Sequence, residues 1–123
     1  MSTLQVTNIK ATGETASRAV SGVAAAWAFF NGTGTPSIYG SMNTSSLTDN
    51  GTGKYFVNLT SNMNNATTYG GVTNGGRDND GVTSFYQGDR TVSRYGLRCY
   101  SLDGTRTPLD YDSVGGTING DLA

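Results

Sequence analysis

The sequence predicts an all-β protein, a single antiparallel β-sandwich domain of jelly-roll type. Short stretches of alternating apolar and polar residues recur along it, each bounded by turn-forming residues. The turns are rich in Asn-Gly, Gly-Gly and Asp-Gly steps, whose tolerance of positive φ suits tight hairpins. The composition gives a third indication. In 123 residues, Gly, Thr, Ser and Asn number 18, 18, 12 and 11, whereas Leu, Ile, Val and Phe together number 22. So few large aliphatic residues would suggest disorder in a highly charged chain. Here the net charge is −1 and twelve aromatic residues are spread through the chain. The reading is a polar β-protein with a thin core, which favours burial against neighbouring copies and predicts a homo-oligomer.

The elements follow in order. Residues 3–9 alternate, with Leu4, Val6 and, after a break in phase, Ile9 apolar. This is a candidate docking strand within an arm over residues 1–22. Residues 23–30 carry Trp27 and the Phe29-Phe30 pair. The Ala-rich stretch 14–30 is also compatible with an apolar helix, but Gly22 and the aromatic end favour a strand. Residues 37–42 follow Pro36, a residue suited to the start of a strand. Residues 54–60 alternate cleanly, with Tyr55, Val57 and Leu59 on one side and Phe56, Asn58 and Thr60 on the other. The run Asp49-Asn50-Gly51-Thr52-Gly53 before them is the clearest hairpin signal in the chain. Residues 82–87, 95–102 and 110–118 complete the strand set. The whole chain, 1–123, reads as one domain, without tandem repeats or an interdomain linker.

Charge and residue type narrow the chemistry. Eight basic and nine acidic residues with no basic cluster argue against nucleic-acid binding. Without histidine there is no Ser/His/Asp or Cys/His nucleophile, and no histidine-based zinc site. The single Cys99 shares a strand face with Leu97 and reads as a buried, inert thiol. The start of the chain lacks the pattern of a signal peptide, and the longest apolar run, 23–30, is too short to span a bilayer. No membrane insertion and no cofactor are expected. Asp78-Asn79-Asp80-Gly81 echoes the opening of a calcium loop, but Val82 stands at the fifth position and Asp89 at the twelfth, where a Glu is needed. An ordinary acidic turn is the expectation. The other aspartates mostly lie beside glycines in turns, which disfavours a glycosidase pair and makes the protein non-enzymatic on this reading.

One region combines recognition chemistry. Residues 69–95 bring together Tyr69, Phe85, Tyr86 and Tyr95 with several arginines and aspartates. Aromatic faces, guanidiniums and carboxylates are what saccharide-binding and protein-binding surfaces use. Arg77, Asp78, Asp80, Tyr86, Arg90 and Arg94 are therefore the candidate surface or receptor contacts. Alternation is expected to bury Phe85.

The central segment resembles a module of tail-fibre and related virion proteins of marine tailed phages. The resemblance is carried by Trp27-Ala28-Phe29-Phe30-Asn31-Gly32-Thr33-Gly34-Thr35, then Ile38 and Ser41-Met42-Asn43. It continues through Thr44-Ser45-Ser46-Leu47-Thr48-Asp49-Asn50-Gly51-Thr52-Gly53 to Tyr55, Val57 and Asn58. Leu4-Gln5-Val6-Thr7-Asn8-Ile9-Lys10 looks like the opening strand of such proteins, and Asp110 to Ile118 sits where they close on a strand. Lys54 departs from the pattern, which more usually has an acid there, and the chain has no coiled-coil shaft. The resemblance implies a virion location, a trimer, and a structural role: attachment to other capsid or tail proteins, with binding of a host-surface glycan as a second task. The missing shaft makes capsid decoration or a head fibre the alternative.

Overall fold

A computed structural model of the chain describes residues 2–10, 12–16, 18–19, 23–75 and 81–123. Ten strands run through them, and no helix occurs among the described residues. They are β1 (Asn8–Ile9), β2 (Arg18–Ala19), β3 (Ala24–Asn31), β4 (Ser37–Met42) and β5 (Thr44–Asp49), then β6 (Lys54–Leu59), β7 (Gly70–Gly75), β8 (Gly81–Thr91), β9 (Arg94–Ser101) and β10 (Val114–Asn119). Two four-stranded sheets have the orders β4-β3-β10-β7 and β5-β6-β9-β8, and β1 and β2 form a separate small ribbon. Every pairing is antiparallel.

This order differs from the expected jelly roll, in which successive strands mostly alternate between sheets. Three connections close hairpins within one sheet: β3-β4, β5-β6 and β8-β9. The β5-β6 turn is the predicted one, with Gly51 at φ +100° and Gly53 at φ +64°. Only Asn43 separates β4 from β5, yet the chain changes sheets there. Asn43 adopts φ +52°, which a short polar side chain tolerates. Its amide donates to the Ala25 and Ser61 carbonyls and its Oδ1 accepts from the Ser61 N–H, so the corner is held on both sides.

The two sheets meet face to face through complementary residue sizes. The first contributes small side chains, Ala26 and Ala28 from β3 and Gly116 from β10, with Phe30, Val114 and Ile118 around them. The second contributes Tyr55, Val57, Leu59, Tyr95, Leu97 and Cys99, all buried. A Cβ on Gly116 would lie 3.0 Å from Leu97 Cδ2 and 3.2 Å from Tyr95 Cε2, so this contact leaves little space for a side chain. Phe30 packs edge-on against Tyr55 with centroids 5.2 Å apart. Each fully buried residue such as Val57 or Leu97 stabilises the fold by about 1.5–3 kcal/mol relative to an exposed one. Alternation of β6 buries Tyr55, Val57 and Leu59 as expected, and Leu97 and Cys99 share the inner face of β9.

Several boundaries differ from the sequence reading. The strand favoured over residues 23–30 is present, shifted by one residue to 24–31 and paired on both sides. The expected strand over residues 3–9 is confined to Asn8–Ile9, and residues 2–7 are exposed. The closing strand starts at Val114 rather than Asp110, because the residues before it are tied elsewhere. Asp110 accepts from the Tyr55 hydroxyl and the Gly53 N–H, and Tyr111 donates to the Tyr100 carbonyl. Strands β5 and β7 were not anticipated. The first is Thr/Ser-rich, the second Gly-rich, and both lie at sheet edges where one flank needs no apolar cover.

Candidate binding faces

The outward positions of β6, β8 and β9 build one side of the sandwich. Strand period places Arg94 and Arg98 opposite the buried Tyr95, Leu97 and Cys99, and Phe56 opposite Tyr55 and Val57. The register sets Phe56 beside Gly96, and Gly96 beside Tyr86. Into the room above Gly96 fold two cation–aromatic pairs. The Arg94 guanidinium lies 4.2 Å from the Phe56 centroid, and that of Arg98 lies 4.1 Å from the Tyr86 centroid. Between Tyr86 and Thr91 the β8-β9 register breaks, and the bulge carries Asp89 over the same glycine. Its carboxylate accepts from Arg98 Nε at 3.1 Å and Nη2 at 2.5 Å. Burial opposes the charge on Arg98, but the hydrogen bond and charge of Asp89 outweigh it and raise the guanidinium pKa further.

Of the predicted contact residues, Tyr86 and Arg94 fall on this face. Tyr86 is 44 % exposed, and Arg94 keeps a buried Nε with no hydrogen-bond partner. Arg90 is directed elsewhere. It donates to the Tyr69 carbonyl and lies 5.3 Å from the Tyr69 ring centroid, so it clamps the loop before β7. The Tyr69 hydroxyl donates to the Thr91 and Arg94 carbonyls, closing the clamp from the other side, and its burial pushes the phenol up to about 12. Arg77, Asp78 and Asp80, with the calcium-like turn, lie outside the described residues. Asp89, the twelfth residue counted from Asp78, is committed to Arg98. Among the described residues no three His, Cys, Asp or Glu side chains gather in a way that could hold a metal. Arg98 and Phe56 were not singled out in the sequence. The signal was present, since both alternate against residues read as core.

Farther along the same face is a groove of about 290 Å³ lined by Val82, Ser84, Tyr100, Ser101, Leu102 and Arg106. The loop bounding it is rigidified by Asp103, whose carboxylate accepts from Ser101 Oγ and from Thr105 N and Oγ1. Those bonds hold its pKa below the usual carboxylate value. Arg106 adopts φ +54°, a strained conformation for a long side chain, at the rim of this groove.

The opposite side of the sandwich has different chemistry. One row across the first sheet reads Met42, Trp27, Thr117, Val72, set by direct pairing across all four strands. Met42, Trp27 and Val72 are 41 %, 37 % and 68 % exposed. The next row places Phe29 between Gly40 and Gly115, and the glycines make room for the rings. A Cβ on Gly40 would touch Trp27 at 3.3 Å, and one on Gly115 would lie 2.8 Å from Phe29. Tyr39, the extra residue where the β3-β4 register shifts, packs on Phe29 at 5.8 Å and donates its hydroxyl to the Asp112 carbonyl. None of the residues in β3, β4, β7 or β10 carries a charge. Such an uncharged, aromatic-rich face is the kind of surface proteins bury against proteins. The alternation of residues 23–30 was visible in the sequence. That Trp27 faces outward was not, because nothing local tells which half of the alternation meets the second sheet.

No family model matches the chain, and no curated protein or solved structure does.

Proposed function

We propose that this protein is a non-enzymatic structural component of a tailed-phage virion, a tail-fibre-like module that works by docking on other virion chains as a trimer. The observation that carries the reading is the uncharged outer face of the first sheet, which bears Trp27, Phe29, Tyr39, Met42 and Val72. A chain with so thin a core gains stability by covering such a face with a neighbour. The resemblance of residues 27–58 to virion modules supplies the setting. The second sheet's outer face then points away from the assembly. There, Tyr86 and the groove beside Tyr100 and Arg106 offer the aromatic and guanidinium contacts that a host-surface saccharide takes.

Immunogold labelling and quantitative mass spectrometry of density-purified particles test this. The expected result is labelling at fixed positions on intact virions and a copy number that is a multiple of the oligomer. Labels on the head would assign the protein to shell decoration, and labels at the tail to a fibre. Absence of the chain from purified particles would refute the virion role.

A further inference from the structure

The sequence has no run of basic residues, yet the fold gathers them. Arg94, Arg98 and Tyr100 alternate against the buried Tyr95, Leu97 and Cys99 and so share the outer side of β9. Register sets Lys54 of β6 directly beside Arg98. Arg106 joins them at the rim of the groove that Tyr100 lines. Four of the chain's eight basic residues thus lie on one face, although the whole chain carries a net charge of −1. They follow β9 as a track. Arg94 and Arg98 stand about 13 Å apart along the strand, and Tyr100 with Arg106 continues the line.

Nearby acids leave most of this charge free. Asp89 neutralises Arg98. Asp103 is held within its own loop by Ser101 and Thr105, and Asp49 accepts from the Gly51 N–H of its own turn. Among the described residues, the side chains of Lys54, Arg94 and Arg106 have no hydrogen-bond or ion-pair partner. Two of the three are nevertheless fixed in place. Arg94 rests on Phe56 with its Nε buried. Arg106 is presented at φ +54° from a loop whose ends are tied by the Ser101 N–H to the Thr107 carbonyl and the Leu109 N–H to the Cys99 carbonyl. Strained backbone held by its surroundings clusters at ligand clamps.

Unpaired cations around an aromatic groove suit an anionic ligand, and a saccharide fits this face better than a nucleic acid. A single strand stacks successive bases on open rings. Here Phe56 and Tyr86 already carry the guanidiniums of Arg94 and Arg98, which leaves Tyr100 as the ring without one. A duplex takes more phosphate contacts than three free cations supply. One ring, the Ser84 hydroxyl beside it and cations along the line match a sugar chain with charged substituents. We infer that the β9 track binds an acidic polysaccharide. One sugar sits on Tyr100, and anionic groups of the chain, carboxylate or sulfate, pair with Arg106, Lys54 and Arg94. This rests on the host-saccharide task proposed above and names the charge of the ligand and the line it follows.

Electrophoresis of the purified chain through gels containing polygalacturonate, dextran sulfate or neutral dextran tests this, with mobility read against a polymer-free gel. Retardation by one or both charged polymers and none by neutral dextran is the expected result, and the polymer that acts identifies the anion. Lys54→Gln and Arg106→Gln should each weaken binding about two- to fivefold, and the double variant about tenfold. Tyr100→Ala, which changes no charge, should weaken it about fivefold. Lys10→Gln removes the same charge outside both large sheets and should leave binding unchanged. Circular dichroism checks that each variant keeps the β-fold. Failure of both charged polymers to retard the wild type overturns the inference, as does equal retardation by neutral dextran. A Lys10→Gln effect as large as that of Lys54→Gln, or wild-type binding by Tyr100→Ala, also overturns it. An oligo-dT strand bound more tightly than either polysaccharide at the same ionic strength would make the face a nucleic-acid surface instead. All of this is read on the purified chain, so failure of the virion role, read on purified particles, is seen separately.

Discussion

Asp89 bends back over Gly96 and grips Arg98 on the far side of it: a Cβ placed on Gly96 would lie 2.5 Å from Asp89 Cβ. The bulge in β8, the glycine in β9 and the ion pair are thus one arrangement. The pair is mostly shielded, with side-chain exposures of 16 % and 18 %. Gly96→Ala would push Asp89 off Arg98 and is expected to cost about 1–3 kcal/mol, as overpacking does. Asp89→Ala removes the partner of a shielded guanidinium and should cost about 1.5–3 kcal/mol. Because both act through the same contact, the double variant should cost clearly less than the sum. Urea denaturation of the four proteins checks this, and strict additivity would show the contact to be incidental.

Arg90 ties the loop ahead of β7 to the end of β8 through Tyr69. Arg90→Lys keeps the charge but loses the planar guanidinium that both stacks on the ring and reaches the carbonyl. The variant should lose about 1–2 kcal/mol, and amide exchange should quicken selectively around Tyr69 and Gly70. Uniform quickening over both sheets would mean that Arg90 serves the whole fold rather than this loop.

Alkaline pH should unfold the protein early for its size. Burial raises Cys99 from near 9 to about 11 and also pushes Tyr55, Tyr69 and Tyr95 above their ordinary value. For groups whose protonated form is favoured in the native state, the stabilisation is complete below the unfolded pKa and is lost as pH rises through the folded one. Loss thus begins near pH 9 with Cys99, and the tyrosines follow above 10. The thiol's share is on the order of 2 kcal/mol. The melting temperature of wild type should fall between pH 9 and 11, and Cys99→Ala, though less stable at pH 7, should fall less over that interval. Parallel curves for the two proteins would exclude Cys99 as the source.

Strands whose inner face carries large apolar residues were legible from sequence, β6 most clearly, because burial on one side leaves a period-two record in Tyr55, Val57 and Leu59. The Asn50 to Gly53 turn was legible for a similar local reason, since its backbone conformation demands glycine. Edge strands leave no such record. Residues 44–49 and 70–75 are strands because β6 and β10 offer them hydrogen-bonding partners, which is a tertiary fact. The arginines show the same limit. Arg90 and Arg94 looked equivalent in sequence, but the register break between Tyr86 and Thr91 sends one to Tyr69 and leaves the other over Phe56.

The neighbours Trp27 and Ala28 should respond in opposite ways, because strand period puts them on opposite faces. Ala28 is 2 % exposed on the inner face, where the tyrosines and leucine of the second sheet leave no space for a larger group. Ala28→Leu is therefore expected to destabilise the fold by about 1–3 kcal/mol through overpacking. Trp27 lies on the outer face, and Thr is a good strand former, so Trp27→Thr should cost only about 1 kcal/mol of monomer stability. Its effect should fall on docking instead, since large aromatics dominate the energetics of buried contacts. Trp27 is also the only tryptophan in the chain. Its emission should shift to the blue, and its quenching by iodide should fall, as wild type is concentrated or incorporated into its assembly. Emission unchanged on assembly would place the docking surface elsewhere, and a Trp27→Thr variant that assembles like wild type would do the same.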